Sequence, residues 1–397
     1  MAVRRHDLAR WLFIASVAAG CGGSSSKGTG DEDSGGAGDG SDSADLDSVG
    51  AADTSPDAAV DDSAVEESAV DDTEPVDPCA DTDAALAALK FYFVIHVEED
   101  DAGCTPGSSS QIPDFNGDPG VFAHFAGAWY DYAAMLAEEG ATLSFQPDWT
   151  FVEGVSTYRP EYFEELLSLG NVEIVPHAHE SCVPYEELYD RLVALGAAPP
   201  KFIGGMTFDE YETRADWFAE NPGWHFWNGP FGTPNHVDDA GTPPFVYRIR
   251  PPGEVTEVDE MYTHVAASPL IVMPGTTWNP TKMQANRPEG RFLTTSWMLL
   301  PDRWFLAEPD DTSVPLKWRK KPAQPTEASP SGTANMSASE VTAWVRALVQ
   351  DSYRPMALAG DLEFTQLSTI LSTYLEHESC LDLEDGQDLS GFVPAGP

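Results

Sequence analysis

Basic residues are scarce in this chain: 21 Lys and Arg stand against 66 Asp and Glu, a formal net charge of -45. Such a balance leaves no basic face for nucleic acid and repels a polyphosphate or an anionic glycan, so neutral or cationic partners fit better. No apolar run is long enough to span a bilayer. Cysteine is sparse, five in all, and none shows the Cys-x-x-Cys spacing of a structural zinc site. No internal repeat is present, and no segment marks a protein partner.

What is present begins with export. Arg4, Arg5 and Arg10 precede the short apolar segment Trp11 to Val17, and Ala18-Ala19-Gly20-Cys21 follows. That is the layout of a secretory signal ending in a lipobox, with Ala18 where Leu is usual. Residues 1–21 then form the signal peptide, and a diacylated Cys21 begins the mature chain, anchored by its lipid to a bacterial membrane. The expected location is the cell envelope, at the outer membrane or cell surface. Residues 22–78 are Gly, Ser, Ala, Asp and Glu with almost no large apolar side chain, too little to offset the entropy of ordering, so they read as an extended acidic tether. Cys79, Cys104, Cys182 and Cys380 remain, an even set for an oxidising compartment with three possible connectivities. Were the chain near Cys104 and Cys182 to adjoin, those two would bridge there and Cys79 with Cys380 would join the domain ends.

Residues 79–397 form one domain with strand-like and helix-like segments alternating through its first half. Strands are expected at Phe91 to Val97, Ala141 to Phe145, Val172 to Val175 and Phe202 to Gly204. Helical patterns fall at Val121 to Glu139, Glu161 to Leu169, Tyr185 to Leu195 and around Tyr211 to Glu220, punctuated by Gly140, Gly170, Gly196 and Pro199-Pro200. Alternation of this kind argues for an α/β fold with parallel strands covered by helices. Trp224 to about Pro330 reads as long loops and short strands, and helical patterns return at Ser337 to Gln350 and Leu362 to His377.

Two strand ends carry the chemistry. The run Val172-Glu-Ile-Val-Pro ends in His177-Ala-His179; side chains two apart on a strand share a face, so both imidazoles can reach one ion. The run Phe91 to Val97 ends in Glu98, Glu99, Asp100 and Asp101 just after His96, four carboxylates in a row whose repulsion a cation would relieve. Mixed His and carboxylate ligation favours a divalent metal ion, with zinc the first choice. Trp224, Trp227, Trp278 and Trp297 are side chains on which sugar rings stack. Asp114-x-Asn116-x-Asp118 lacks the glycine and closing Glu placement of a calcium loop and reads as a turn. Lys317 to Lys321 reads as a solvated loop.

These features together resemble the polysaccharide deacetylases of carbohydrate esterase family 4, whose fold is an irregular (β/α) barrel. The resemblance covers most of Lys90 to Tyr374. In that family the first strand ends Thr-Phe-Asp-Asp, and His96-Val97-Glu98-Glu99 stands in its place, which implies Glu98 as catalytic base and Glu99 as metal ligand. The second motif, His-x-x-x-His, matches at His177, but Ser181 stands at its second position, with His179 the nearby replacement. The third, Arg-x-Pro-aromatic-Gly, resembles Asn228-Gly229-Pro230-Phe231-Gly232, which implies Asn228, Phe231 and the adjoining Trp227 against substrate. The last motif, a strand ending Leu-x-His, is expected near Met356 to Asp361, where His is absent. That leaves Asp361, His264 and His236 as candidates for the acid that protonates the leaving group. The implied activity is metal-dependent deacetylation of a glycan. The alternatives are a carbohydrate-binding lipoprotein without turnover on the same barrel, and a metal-free glycoside hydrolase using two of the carboxylates.

Overall fold

The computed structural model describes residues 77, 79–97, 114–177, 182–227, 243–274, 280, 290–292, 294–299 and 338–392. All of these except Asp77 belong to one compact unit that includes Pro78–Pro397. Short helix α1 (Thr82–Ala87) leads into the long central strand β1 (Leu89–His96). There follow α2 (Pro119–Glu138), β2 (Leu143–Gln146), α3 (Trp149–Tyr158), α4 (Tyr162–Ser168), β3 (Val172–Ile174), α5 (Tyr185–Ala194) and β4 (Phe202–Ile203). The expected helix around Tyr211 is two short ones, α6 (Phe208–Glu212) and α7 (Ala215–Glu220), and β5 (His225–Trp227), β6 (Tyr247–Arg248), β7 (Ile271–Met273) and β8 (Thr294–Leu299) come next.

Towards the C-terminus two expectations are corrected. Met356 to Asp361 forms no strand end: α8 (Ala338–Leu348) runs through a π turn, Val349–Tyr353, into α9 (Arg354–Ala359). Pro355 near the start of α9 has no N–H to give the preceding turn, which accounts for the wider turn there. Gly360, at φ 81°, closes α9 in the left-handed conformation that glycine tolerates. The expected helix Leu362 to His377 begins as a strand, β9 (Leu362–Phe364), and only then becomes α10 (Leu367–His377). Pairing with β1 decides this, since Leu89, Lys90 and Phe91 register against Leu362, Glu363 and Phe364, a long-range contact no local pattern carries.

The strands form two sheets, β3-β2-β1-β8 with β9 also on β1, and β4-β5-β7-β6. Among the described residues every strand pairing is parallel except β6 with β7. A parallel bridge from His177 to Gly204 links them, and Val246 N donates to Phe292 O on the other side. The result is an α/β fold with a curled, mainly parallel sheet. Its convex side carries α2, α3 and α5 over Phe91, Phe93, Ile95, Phe145 and Ile174, while Tyr92, Val94, Val175, Phe202, Trp227, Ile271 and Met273 cluster on the concave side. This is the near-continuous apolar character that parallel strands buried on both faces require. Leu367, Ile370 and Tyr374 of α10 join the concave cluster.

Several polar groups at the strand starts are matched. Lys90 pairs with Glu363. Glu173 is buried, and its carboxylate accepts from Ser368 N at 3.2 and 3.3 Å, so it satisfies a donor at the start of α10 that Gln366 leaves uncapped. Arg248 is paired through two nitrogens with Glu378, to which Tyr374 also donates at 2.9 Å. Cys79 is disulfide-bonded to Cys380, the pairing that joins the domain ends; Cys182 is disulfide-bonded as well, to a partner outside the described residues. Asp114 accepts from Gly117 N and Asp118 caps α2, so the Asp-x-Asn-x-Asp segment is a turn. No described helix is long and apolar enough to cross a membrane.

Candidate functional site

The last inward-facing residues of several parallel strands come together at one end of the sheet. Residues 92, 94 and 96 of β1 alternate inward with period two, which puts His96 at the top of that column. The same parity on β2 gives Ser144 and Gln146, and on the chain leaving β3 gives Glu173, Val175 and His177. The rings of His96 and His177 meet with centroids 3.7 Å apart and planes at 62°. Trp227, the last residue of β5, lies 5.4 Å from His96 on the same measure. Gln146, fully buried, holds His96 Nδ1 at 2.9 Å through Oε1 while its own Nε2 donates to Ser144 Oγ at 3.3 Å.

Gly204 completes this group. A Cβ at that position would stand 3.1 Å from His177 Nδ1, 3.4 Å from Trp227 Cε3 and 3.5 Å from Gln146 Oε1. No positive φ is involved; space alone asks for glycine, and the imidazole uses the gap. The C-terminal ends of parallel strands are where such folds build sites, because the loops that follow supply the variable groups.

Beside this group lies a buried acid that the sequence reading missed. Asp148 follows β2 by two residues and caps α3, accepting from Phe151 N at 2.9 Å and from Thr150 Oγ1 at 2.8 Å. Burial pushes its carboxyl up to about 7, against the lowering effect of those hydrogen bonds. The Asp-Trp-Thr start of a helical stretch is the local signal that could have revealed it.

Of the residues singled out from sequence, the structure brings His177 and Trp227 together. His96, which opens the acidic strand end, joins them, and the structure adds Gln146 and Gly204. Glu98, Glu99, His179, Asn228, Phe231, His236, Cys104, Trp278 and Lys317 to Lys321 lie outside the described residues. Asp361 is placed elsewhere: its carbonyl accepts from Leu89 N at the beginning of β1, and the eight-residue strand separates that point from His96 by roughly 23 Å at 3.3 Å per residue. His264 also sits at the far end. Arg248 N donates to its Nδ1 at 3.3 Å, and Arg248 registers with Ile271 at the start of β7, whereas Met273 at its end registers with Trp227. Neither candidate acid therefore adjoins the imidazole pair. Trp224 packs against Tyr189 and Trp217 on the convex side, a core role.

The donors can be tested against a metal. Among the described residues no three His, Cys, Asp or Glu side chains gather as ligands. Two imidazoles sharing one zinc through nitrogens about 2 Å away hold their ring centroids roughly 5 Å apart. His96 and His177 at 3.7 Å are packed edge to face, closer than shared ligation sets. As placed, one of the two imidazoles could serve as a ligand but not both on one ion.

No protein-family model matches the chain, and no curated protein matches it. Among solved structures it is similar to the 4-alpha-glucanotransferase from Thermococcus litoralis, at 13% identity, with a TM-score of 0.37, over 72% of this chain and 38% of that one. The chain spans well under half the length of that enzyme. A likeness of this grade carries no argument about fold or activity.

Proposed function

We propose that this chain is a metal-dependent hydrolase that removes acetyl groups from a glycan at the bacterial cell surface, on an irregular (β/α) barrel of polysaccharide-deacetylase type. One observation carries the reading. The two segments picked out by their ligand-type residues, one entering Glu98 and Glu99 and the other His179, leave the sheet from His96 and His177, whose rings touch. Sequence motifs 80 positions apart that emerge at one point are what a shared centre requires.

His177, with His179 and Glu99, would hold the ion. When bound, a divalent metal, zinc by donor type, supplies a Lewis acid and an acidified water. Glu98 takes a proton from the attacking water on its carboxylate oxygen. Asn228 and Phe231 would give the sugar polar contacts and an aromatic face, while Trp227, buried against His96, backs the site rather than facing the sugar. Asp361 and His264 are dropped as leaving-group acids, since the far end of the strands cannot reach the scissile bond. The lipid on Cys21 and the acidic tether would present this centre to envelope glycans, and Cys21→Ser should move the protein to the soluble fraction; unchanged membrane association of that variant ends the anchoring claim.

The test of turnover uses acetate release by the zinc-supplemented protein from acetylated chitin, peptidoglycan and exopolysaccharide fragments. Glu98→Gln should retain metal and lose about two orders of magnitude in rate. Sugar binding without acetate release would make the protein a carbohydrate-binding lipoprotein. New reducing ends, formed equally well with chelator, would make it a metal-free glycoside hydrolase.

A further inference from the structure

The last residue of β2 carries a role that no local sequence signal marks. Gln146 is fully buried, and each half of its amide has one job: Nε2 donates to Ser144 Oγ at 3.3 Å and Oε1 faces His96 Nδ1 at 2.9 Å. Ser144 and Gln146 are two apart on one strand, so their side chains share the concave face and the inner bond is local. With the amide so oriented, only a protonated Nδ1 can meet Oε1, because two acceptors in contact repel. That amide orientation calls for a proton on His96 Nδ1.

The fixed ring in turn confines its neighbour. His96 is flanked by His177 at 3.7 Å and Trp227 at 5.4 Å, while the other boundary of His177 is the backbone of Gly204, where even a methyl carbon would stand 3.1 Å from Nδ1. His177 thus lies between the His96 ring and the Gly204 backbone. We propose that Gln146 is a positioning residue: by accepting the Nδ1–H of His96 it locks that imidazole, and through it sets the ring plane of His177. The role in a metal centre rests on the reading of His177 as ligand given above; the coupling of Gln146 to the two rings stands on the geometry alone. Groups that orient a ligand from behind change metal affinity about 10- to 100-fold when removed.

The experiment uses the full chain labelled with 15N and compares the imidazole nitrogen shifts of His96 and His177 in the parent, Gln146→Leu, Gln146→Glu and Ser144→Ala, alongside zinc affinity measured by competition with a chromophoric chelator. In the parent, His96 should give the Nδ1–H form. Gln146→Leu, close in size, should mix the His96 tautomers, move the His177 shifts and weaken zinc about 10- to 100-fold. Gln146→Glu, which keeps an acceptor, should retain the Nδ1–H form, and Ser144→Ala should give a smaller change in the direction of Leu. An Nε2–H form of His96 in the parent overturns the assignment. So does a folded Gln146→Leu in which His177 shifts stay at parental values; should that variant not fold, unchanged shifts in Ser144→Ala overturn it instead. A parent that takes up no zinc ends the metal reading, and the ring shifts then decide the Gln146 assignment by themselves.

Discussion

The two ends of the curled sheet are built on opposite plans. At the strand starts Lys90 has found Glu363, Arg248 has found Glu378, and Glu173 has found the first turn of α10. At the strand ends two imidazoles press together, an indole and an amide crowd a glycine, and a carboxyl is buried without a cation. The first arrangement uses polar groups to close a fold; the second keeps them where their burial is costly. Neutral pairs and satisfied ions do no chemistry, and groups held against their preference are the ones from which sites are made.

The largest test of this contrast lies in the Cys79–Cys380 disulfide, which spans 301 residues and ties α1 to the end of α10. Chain-entropy reasoning assigns a loop of that size about 6 kcal/mol. The double variant Cys79→Ser, Cys380→Ser should therefore lower the thermal midpoint by roughly 10 °C, while zinc affinity measured well below that midpoint stays at the parental value. Metal uptake that fell in step with stability would show the two ends to be one cooperative device and break the contrast.

The same division explains what the sequence could announce. Helices and strands of the first half were legible because their periodicity is local: Phe91 to Val97, Val121 to Glu139 and Tyr185 to Leu195 read correctly to within about two residues. His177 was legible because a His-x-His pair after a strand is a local signal. Gln146 was not, since its importance comes from a bond to a residue 50 positions away. Asp361 was misplaced for the converse reason. A motif order borrowed from a family put a strand end there, whereas Pro355 and Gly360 set up and close a helix, and β1 recruits the next three residues as a strand. Chain neighbours cannot say which end of a sheet a residue will face.

Asp148 gives the next effect in size. Its folded carboxyl titrates at about 7 against an unperturbed 3.8 because burial disfavours the charge. A raised value means that the folded state holds a proton that the unfolded state has given up, so stability is greatest below 3.8 and declines as pH rises towards about 7. The slope for one proton is about 1.4 kcal/mol per pH unit. Asp148→Asn keeps an acceptor for the Phe151 N–H and carries no charge to bury. Urea unfolding of the parent and this variant at several pH values between 4.5 and 7.5, a range chosen to bracket roughly the window of one carboxyl, should give a difference that grows with pH in favour of the variant. A difference independent of pH would mean that Asp148 remains ionised in the folded protein, and the strand ends would then hold no carboxyl against its preference.

The smallest expected effect on stability, and the sharpest on the site, comes from Gly204→Ala. Its backbone needs no positive φ, so alanine gains a few tenths to about 1 kcal/mol by restricting the unfolded chain. Against that, the new methyl carbon would stand 3.1 Å from His177 Nδ1 and 3.4 Å from Trp227 Cε3, closer than carbon and nitrogen rest, so the ring must retreat by a few tenths of an ångström. His96, which Gln146 meets through Nδ1, is one neighbour in the way of that retreat. The two terms should nearly cancel in unfolding free energy, leaving a change within about 1 kcal/mol. Zinc affinity has no compensating term and should fall about tenfold. If alanine instead stabilises the fold and leaves zinc affinity unchanged, the imidazole pair yields without cost, and the strand ends are as relaxed as the strand starts.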